Sequence, residues 1–86
     1  MKLLKFSASW CGPCKSLSAV MSGMSFPLDV QTVEEIDVDE QNDMAAQYAI
    51  RGVPTVVAIK EGKEIGRFAG TKTENEIISW VNKLAA

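Results

Sequence analysis

The sequence predicts an α/β fold with the element order β-α-β-α-β-β-α: a four-stranded mixed sheet with three helices on its two faces. Three observations support this prediction. Three segments carry apolar residues at helical spacing, and four short apolar runs have the length of strands. The turn signal Glu61-Gly62 joins the last two runs into an antiparallel hairpin. The first two strands must be parallel, joined by a right-handed crossover through the first helix.

Length and composition limit the domain count and the class of partner. The chain has 86 residues, which predicts one domain over residues 1–86 with a modest core. Its hydrophobic content of 47% is typical of a globular chain rather than a disordered one. The net charge of −2 gives no general reason to expect nucleic acid or an anionic membrane as a partner. No apolar stretch approaches the length of a membrane span.

The first strand, residues 3–8, is short and runs directly into a cysteine motif. We therefore expect it to lie centrally and to carry that motif at its C-terminal end, where open α/β sheets place their chemistry. A helix follows over residues 11–24, and Pro27 prevents its continuation. One face of this helix is apolar and is expected to be buried: Leu17, Val20, Met21 and Met24.

The second strand, residues 30–38, runs into an acidic stretch. The six acids are Glu34, Glu35, Asp37, Asp39, Glu40 and Asp43. A metal site or a basic partner is one interpretation of them. Charge that protects an exposed sheet edge is the interpretation we favour, because edge strands carry charge to discourage pairing with other chains. A short helix over residues 41–48 then turns Met44 and Tyr48 inward.

The remaining elements form a hairpin and a last helix. Residues 55–60 are apolar on both faces, which predicts a central strand, and residues 63–68 form the strand paired with it. Thr73 and Glu76 have the spacing of a capping box. The apolar face of the helix after it includes Trp80, which we interpret as a core residue rather than a platform for substrate; the face comprises Ile77, Trp80, Val81 and Leu84.

Cys11 and Cys14 are the chain's only cysteines, and they are separated by two residues. This spacing at the start of a helix, after a strand, is typical of a redox dithiol. Unpaired N–H groups and the positive end of the helix dipole stabilise a thiolate there, and thiolate is the nucleophile. Pro13 fits the first turn, where its missing N–H costs nothing.

Two other interpretations of the cysteine pair are weaker. A zinc site needs about four ligands, and two cysteines without histidine supply too few in one chain, so only a site shared between two chains remains open. A purely structural disulfide would close too small a ring to remove much entropy from the unfolded chain.

Two motifs resemble those of one family. Residues 9–15, Ser-Trp-Cys-Gly-Pro-Cys-Lys, resemble the active site of thioredoxins. Residues 48–55, Tyr-Ala-Ile-Arg-Gly-Val-Pro-Thr, resemble the second thioredoxin signature, which ends in a cis-proline facing the dithiol. The resemblance covers residues 2–84. The first strand and helix of full-length thioredoxins have no counterpart, so the chain resembles short, glutaredoxin-sized forms.

The resemblance implies a role for each matching residue. Cys11 is expected to be the more exposed cysteine and to attack a client disulfide, forming a mixed disulfide. Cys14 is expected to be more buried and to attack Cys11 in turn, which releases the client and leaves a Cys11–Cys14 disulfide. The Val53–Pro54 bond is expected to be cis, which leaves the Val53 backbone free to pair with a client chain. A flat, mostly apolar docking patch is implied by Trp10, Gly12, Pro13, Val53, Pro54, Ala69 and Gly70.

The chain departs from the family pattern behind the site. Ser7 stands where the family often has tryptophan, Lys5 stands where it has a buried aspartate, and Glu35 stands where it has the accompanying lysine. We predict that Lys5 and Glu35 pair beneath Cys14, because a lone buried charge is costly. The alternative is that Lys5 extends to the surface along its aliphatic stem. In the paired arrangement, lysine favours a nearby thiolate and Glu35 is the candidate proton acceptor.

The resemblance implies a protein-disulfide reductase that binds no cofactor or metal. Its electrons would come from NADPH through thioredoxin reductase, and disulfide-containing proteins would be its clients. We expect a monomer in the cytoplasm, since Lys5 ends the N-terminal apolar run before a signal peptide is formed. Two alternatives remain: a glutaredoxin-like reductase recharged by glutathione, against which Gly12-Pro13 argues, and an accessory subunit that uses the fold for docking.

Overall fold

Strands and helices alternate along the chain in the predicted order, β-α-β-α-β-β-α. The computed structural model describes all residues, 1–86. The strands are β1 (Lys2–Ser7), β2 (Thr32–Asp37), β3 (Thr55–Lys60) and β4 (Lys63–Ala69). The helices are α1 (Gly12–Gly23), α2 (Asn42–Gln47) and α3 (Glu74–Ala85). This element order confirms the predicted fold class.

The four strands form one mixed sheet in the order β2-β1-β3-β4. β1 pairs with β2 in parallel and with β3 in antiparallel orientation, and β3 pairs with β4 in antiparallel orientation. β1 and β3 are therefore central and β2 is an edge strand, as predicted. Only a few residues separate the C-terminal end of β1 from the start of α1. The cysteine motif therefore lies at the C-terminal end of a central strand.

Alternate residues of the central strands pack on opposite faces. Leu3 and Val56 belong to the larger core cluster, with apolar residues of α1 and α3. Leu4 and Val57 belong to a second cluster, against which Met44 of α2 packs. Because side chains alternate along a strand, Lys5 and Ser7 point to the same face as Leu3, toward α1. Because α1 packs over this face, its side chains can contact Lys5.

β2 spans Thr32–Asp37 rather than residues 30–38, and both of its ends have identifiable reasons. β2 begins at Thr32 rather than at residue 30, because the Val30 N–H donates to the Pro27 carbonyl in a turn, at 2.9 Å. After β2, the Asp37 carboxylate accepts the N–H groups of Asp39 and Glu40, at 2.8 and 3.2 Å. Part of the acidic stretch thus shapes a turn, a role in which aspartate is common.

The hairpin and the last helix follow local sequence rules. Lys60 pairs with Lys63 across the two-residue turn, whose Glu61 and Gly62 have φ of 55° and 78°. Positive φ at both central positions matches the twist of a hairpin. At α3, Thr73 and Glu76 form the predicted capping box. No helix has the length and apolar character needed to span a bilayer.

Trp80 is half-buried and packs against the sheet, as predicted for a core residue. Its ring meets the Phe68 ring edge-on, with 4.9 Å between the centroids. T-shaped contacts of this kind are favourable for aromatic pairs.

Candidate active site

The two cysteines lie at the N-terminus of α1. Cys11 is the N-cap residue, with extended backbone angles, and its Sγ accepts the Cys14 N–H at 3.2 Å. The two residues form a disulfide, with 5.3 Å between their Cα atoms. Pro13 occupies the first turn and is exposed. The motif therefore places the Cys11 sulfur among unpaired N–H groups at the positive end of a helix, where a thiolate is stabilised after reduction.

Residue exposure barely separates the two cysteines. Cys11 is 4% exposed and Cys14 is 3% exposed, so the order is the expected one but the difference is small. The difference is small in the disulfide form because both residues pack with Ala8 in one small buried cluster flanked by Val38 and Val53. Their asymmetry lies in their neighbours: Cys11 contacts the Val53 loop, whereas Cys14 borders a polar cleft.

The loop before β3 holds its backbone beside Cys11. The Val53–Pro54 peptide bond is cis, and Pro54 is buried. The Cys11 Sγ lies 3.7 Å from the Val53 carbonyl oxygen. A disulfide sulfur carries no proton, so this is a contact that becomes a weak hydrogen bond only when Cys11 is a thiol. The Gly70 N–H donates to the Pro54 carbonyl at 2.9 Å, which joins the end of β4 to this loop.

An exposed aromatic residue flanks the cysteines. Trp10 is 70% exposed, and its indole N–H donates to the Asp39 carboxylate at 2.9 Å. This hydrogen bond, which the sequence did not indicate, fixes the ring at the rim of a groove of about 180 Å³. The groove is mostly apolar and is lined by Trp10, Val38, Ala45, Ile50, Arg51, Gly52 and Val53.

The residues of the predicted docking patch differ in accessibility. Gly12, Pro13 and Ala69 are exposed, and Gly70 is half-buried beside Pro54. Val53 is half-buried and lines the groove together with Trp10. Pro54, being buried, supports this surface from beneath.

Lys5 and Glu35 meet, as the departures from the family pattern predicted. Lys5 Nζ lies 3.4 Å from Glu35 Oε1, and the two residues are neighbours in the parallel register of β1 and β2. Their burial differs from the prediction: the Lys5 side chain is 6% exposed, but the Glu35 side chain is 61% exposed. The pair was expected to be buried on both sides, but Glu35 is exposed because it lies on β2, the edge strand of the sheet.

Two serines complete this cluster. The Lys5 ammonium donates to Ser18 Oγ of α1. Ser7 Oγ donates to Glu35 Oε1 at 3.1 Å. Ser18 was not identified from the sequence, although it lies four residues after Cys14 and so on the same face of α1. Cys14, Ser7, Ser18 and Glu35 all line one open polar cleft of about 530 Å³.

Comparison with known proteins places this geometry in a family. The thioredoxin family profile matches residues 1–83. A thioredoxin of Chlamydia trachomatis is 36% identical over 81 residues, which cover 94% of this chain and 79% of that protein. Thioredoxin H2 of Arabidopsis thaliana is 38% identical over 84 residues, covering 98% of this chain and 62% of that protein.

Solved structures agree with the sequence relatives. A mutant thioredoxin from Halobacterium salinarum superposes with a TM-score of 0.83 at 32% identity, covering 99% of this chain and 74% of that one. A thioredoxin from Nicotiana alata gives a TM-score of 0.80 at 38% identity, covering 95% and 70%. The cysteine pair and these relatives identify a protein-disulfide oxidoreductase, and the chain belongs to the thioredoxin family.

Proposed function

We propose that this protein works in the reducing direction, transferring two electrons from its dithiol to disulfides of client proteins. The observation that carries the proposal is the position of Cys11: an N-terminal helix cap, beside the Val53 carbonyl and next to the Trp10 groove. A sulfur poised to become a thiolate, with an apolar surface next to it, suits attack on a disulfide in another protein.

The proposed reaction has two exchange steps. In the first, the Cys11 thiolate attacks one client sulfur, the client S–S bond breaks, and a mixed disulfide forms while the other client sulfur leaves as a thiolate and takes up a proton. In the second, the Cys14 thiolate attacks Cys11 Sγ and releases the remaining client thiol. The client gains two electrons and two protons, and the protein ends as the Cys11–Cys14 disulfide.

Client docking is proposed for the surface beside Cys11. The groove next to Trp10 would take an apolar client side chain, and the Val53 backbone would pair with an extended client segment. Gly12, Pro13, Ala69 and Gly70 would form the rest of the contact, and Pro54 would hold the loop in place.

Recharging is proposed to use NADPH through a flavin-dependent thioredoxin reductase. The cytoplasm is the proposed compartment, because reducing conditions keep such a pair cycling. We propose that the protein acts as a monomer, with one cysteine pair serving one client at a time.

The test is insulin-disulfide reduction in two parallel assays, one driven by NADPH with thioredoxin reductases from several sources and one driven by glutathione with glutathione reductase. We expect NADPH-dependent turnover in the first assay and little in the second. The Cys11→Ser variant should abolish turnover, and Cys14→Ser should accumulate a mixed disulfide with insulin. A matched Ser16→Ala change on the exposed side of α1 should leave the rate unchanged.

Efficient turnover with glutathione and none with any thioredoxin reductase would replace the proposal with the glutaredoxin alternative. Binding of a partner that is unchanged in the Cys11→Ser/Cys14→Ser double variant, with no reduction in either assay, would favour the accessory role instead.

A further inference from the structure

The buried ammonium of Lys5 is shared between two acceptors on different elements. It donates to Ser18 on α1, and it lies 3.4 Å from Glu35 Oε1 on β2. Charge-assisted hydrogen bonds between an ammonium and a carboxylate are normally about 2.7–2.9 Å long. Lys5 therefore forms its hydrogen bond with the serine, and its contact with the carboxylate is the looser of the two.

The carboxylate of Glu35 is fixed at one oxygen and free at the other. Oε1 accepts the Ser7 hydroxyl at 3.1 Å and faces Lys5. Oε2 has no partner in the protein. Glu35 lines the polar cleft that Cys14 also lines, so a water chain in this cleft can connect the free oxygen to the Cys14 sulfur.

We propose that Ser18 is a positioning residue for proton transfer at Cys14. Its hydroxyl, on α1, binds the Lys5 ammonium and so keeps the ammonium from forming a close ion pair with Glu35. The Glu35 carboxylate is thereby left able to accept the Cys14 proton. The inference rests on the resolving role proposed for Cys14. Ser18 makes no hydrogen bond to either sulfur, and its effect passes entirely through Lys5.

The proton step precedes attack and balances with it. The Cys14 S–H proton passes through water to Glu35 Oε2, leaving a thiolate. That thiolate bonds to Cys11 Sγ, the bond between Cys11 and the client sulfur breaks, and the client leaves as a thiolate. The proton on Glu35 then returns to bulk water through the open side of the cleft.

Glu35 lines two adjoining clefts, and charged side chains from several elements surround it there. Asp37 and Glu40, from the end of β2 and the turn after it, line the cleft that Cys14 also lines. Lys5 of β1 lines the second cleft, and Lys15 of α1 lines both. Lys15 adds positive charge near the Glu35 carboxylate, and the two acids add negative charge. Lys5 is the buried one of the two lysines, so its distance from Glu35 has the largest influence.

The test measures resolution without a client or a reductase. Reduced protein is mixed with 5,5′-dithiobis(2-nitrobenzoate) in a stopped-flow instrument, and the concentration-independent second release of thionitrobenzoate reports attack by Cys14. The rate is recorded against pH for the wild type and for Ser18→Ala, Lys5→Met, Glu35→Gln and the Lys5→Met/Ser18→Ala double variant. Ser16→Ala is the matched control, and Ser18→Thr tests rescue by a retained hydroxyl.

Opposite shifts are expected from the two single variants. In Ser18→Ala the ammonium closes on Glu35, and the midpoint of the acid limb moves to lower pH by about half a unit. In Lys5→Met that midpoint moves to higher pH by about one unit. The midpoint of the double variant should equal that of Lys5→Met, because without the Lys5 ammonium Ser18 can no longer act on Glu35. Ser18→Thr and Ser16→Ala should behave as the wild type.

Three results would overturn the inference. They are a Glu35→Gln profile identical to the wild type, a shift in Ser18→Ala in the same direction as in Lys5→Met, or additive shifts in the double variant. Thermal unfolding of each variant identifies any that does not fold. If Ser18→Ala is lost, the comparison of the Lys5→Met/Ser18→Ala double variant with Lys5→Met decides the outcome, because a difference between them would mean that Ser18 acts other than through Lys5. Because insulin and reductases are absent, failure here is distinct from failure in the insulin assay.

Discussion

Among the glycines, Gly66 is the one where an added methyl group would contact another side chain. A Cβ built there would lie 2.8 Å from Leu84 Cδ2 and 3.1 Å from Leu84 Cδ1. We predict that Gly66→Ala destabilises the protein by roughly 1 kcal/mol, at the low end for overpacking because the Leu84 side chain can partly move. The measurement is urea unfolding at neutral pH.

Gly23 provides the matched control for this prediction. It is the last residue of α1, and no atom lies within 4 Å of a Cβ built there. Gly23→Ala should stabilise the protein by about 0.5–1 kcal/mol, since alanine loses less backbone entropy in a helix. Equal effects of the two changes would show that the contact with Leu84 does not limit residue 66.

Prediction from sequence succeeded where a residue's role depends on its near neighbours in the chain. The spacing of Cys11 and Cys14 and the place of Pro13 in the first turn follow from local helix chemistry. Ser18 was missed because its role depends on Lys5, a residue thirteen positions away on another element. The near-equal burial of the two cysteines was not foreseen for a similar reason, because it depends on packing with Val38 and Val53.

At the scale of one element, α3 owes its start to the reciprocal bonds of its capping box. The Thr73 N–H donates to Glu76 Oε1 at 2.9 Å, and the Glu76 N–H donates to Thr73 Oγ1 at 3.2 Å. Hydrogen bonding with the Thr73 backbone, and then with its side chain, lowers the pKa of Glu76 from 4.5. The charged carboxylate is therefore the form that the folded helix favours.

The sign of this shift predicts a pH dependence. A carboxyl group whose pKa is lowered by folding contributes stability above its unfolded value of 4.5, and this contribution is lost as the pH falls through the folded value. Glu76→Gln should thus be less stable than the wild type at pH 7, and the difference should shrink at pH 3. Urea unfolding of both proteins at the two pH values measures this, and a difference that grows on acidification would contradict it.

The borders of the elements were the part of the fold that the sequence predicted least well. β3 has the predicted bounds because turns limit it on both sides, whereas β2 starts two residues late because the turn at Pro27 uses the Val30 N–H. The capping box was predictable because it depends on two residues three positions apart. The burial of Glu35 was misjudged because its pairing with the buried Lys5 was taken to imply burial of both partners, whereas its own strand lies at the sheet edge.

For the whole molecule, β2 is one of the two sheet edges at which another chain could pair. Its Val33 is 41% exposed, and Glu34 forms an ion pair with Lys2 at 2.9 Å. Charge on an edge strand discourages intermolecular pairing. We predict that Glu34→Val makes the protein self-associate in a concentration-dependent manner, as measured by analytical ultracentrifugation.

Glu40→Val is the matched control, because it makes the same charge change on a turn outside the sheet. It should sediment as the wild type does, which we expect to be a monomer. Equal association of both variants would mean that net charge, rather than the edge strand, keeps the molecules apart.

The two cysteines adjoin different surfaces of the molecule, which affects how its sequence can evolve. Cys11 contacts Val53, which lines the groove at Trp10, whereas Cys14 lines the cleft that Glu35 also lines. Of the residues lining the groove and the cleft, none is common to both. In the proposed mechanism the groove accepts the client and the cleft carries the proton, so mutations that alter client choice can accumulate without changing proton transfer. The exchange of charges that the resemblance implies for Lys5 and Glu35 would alter the cleft and leave the groove unchanged.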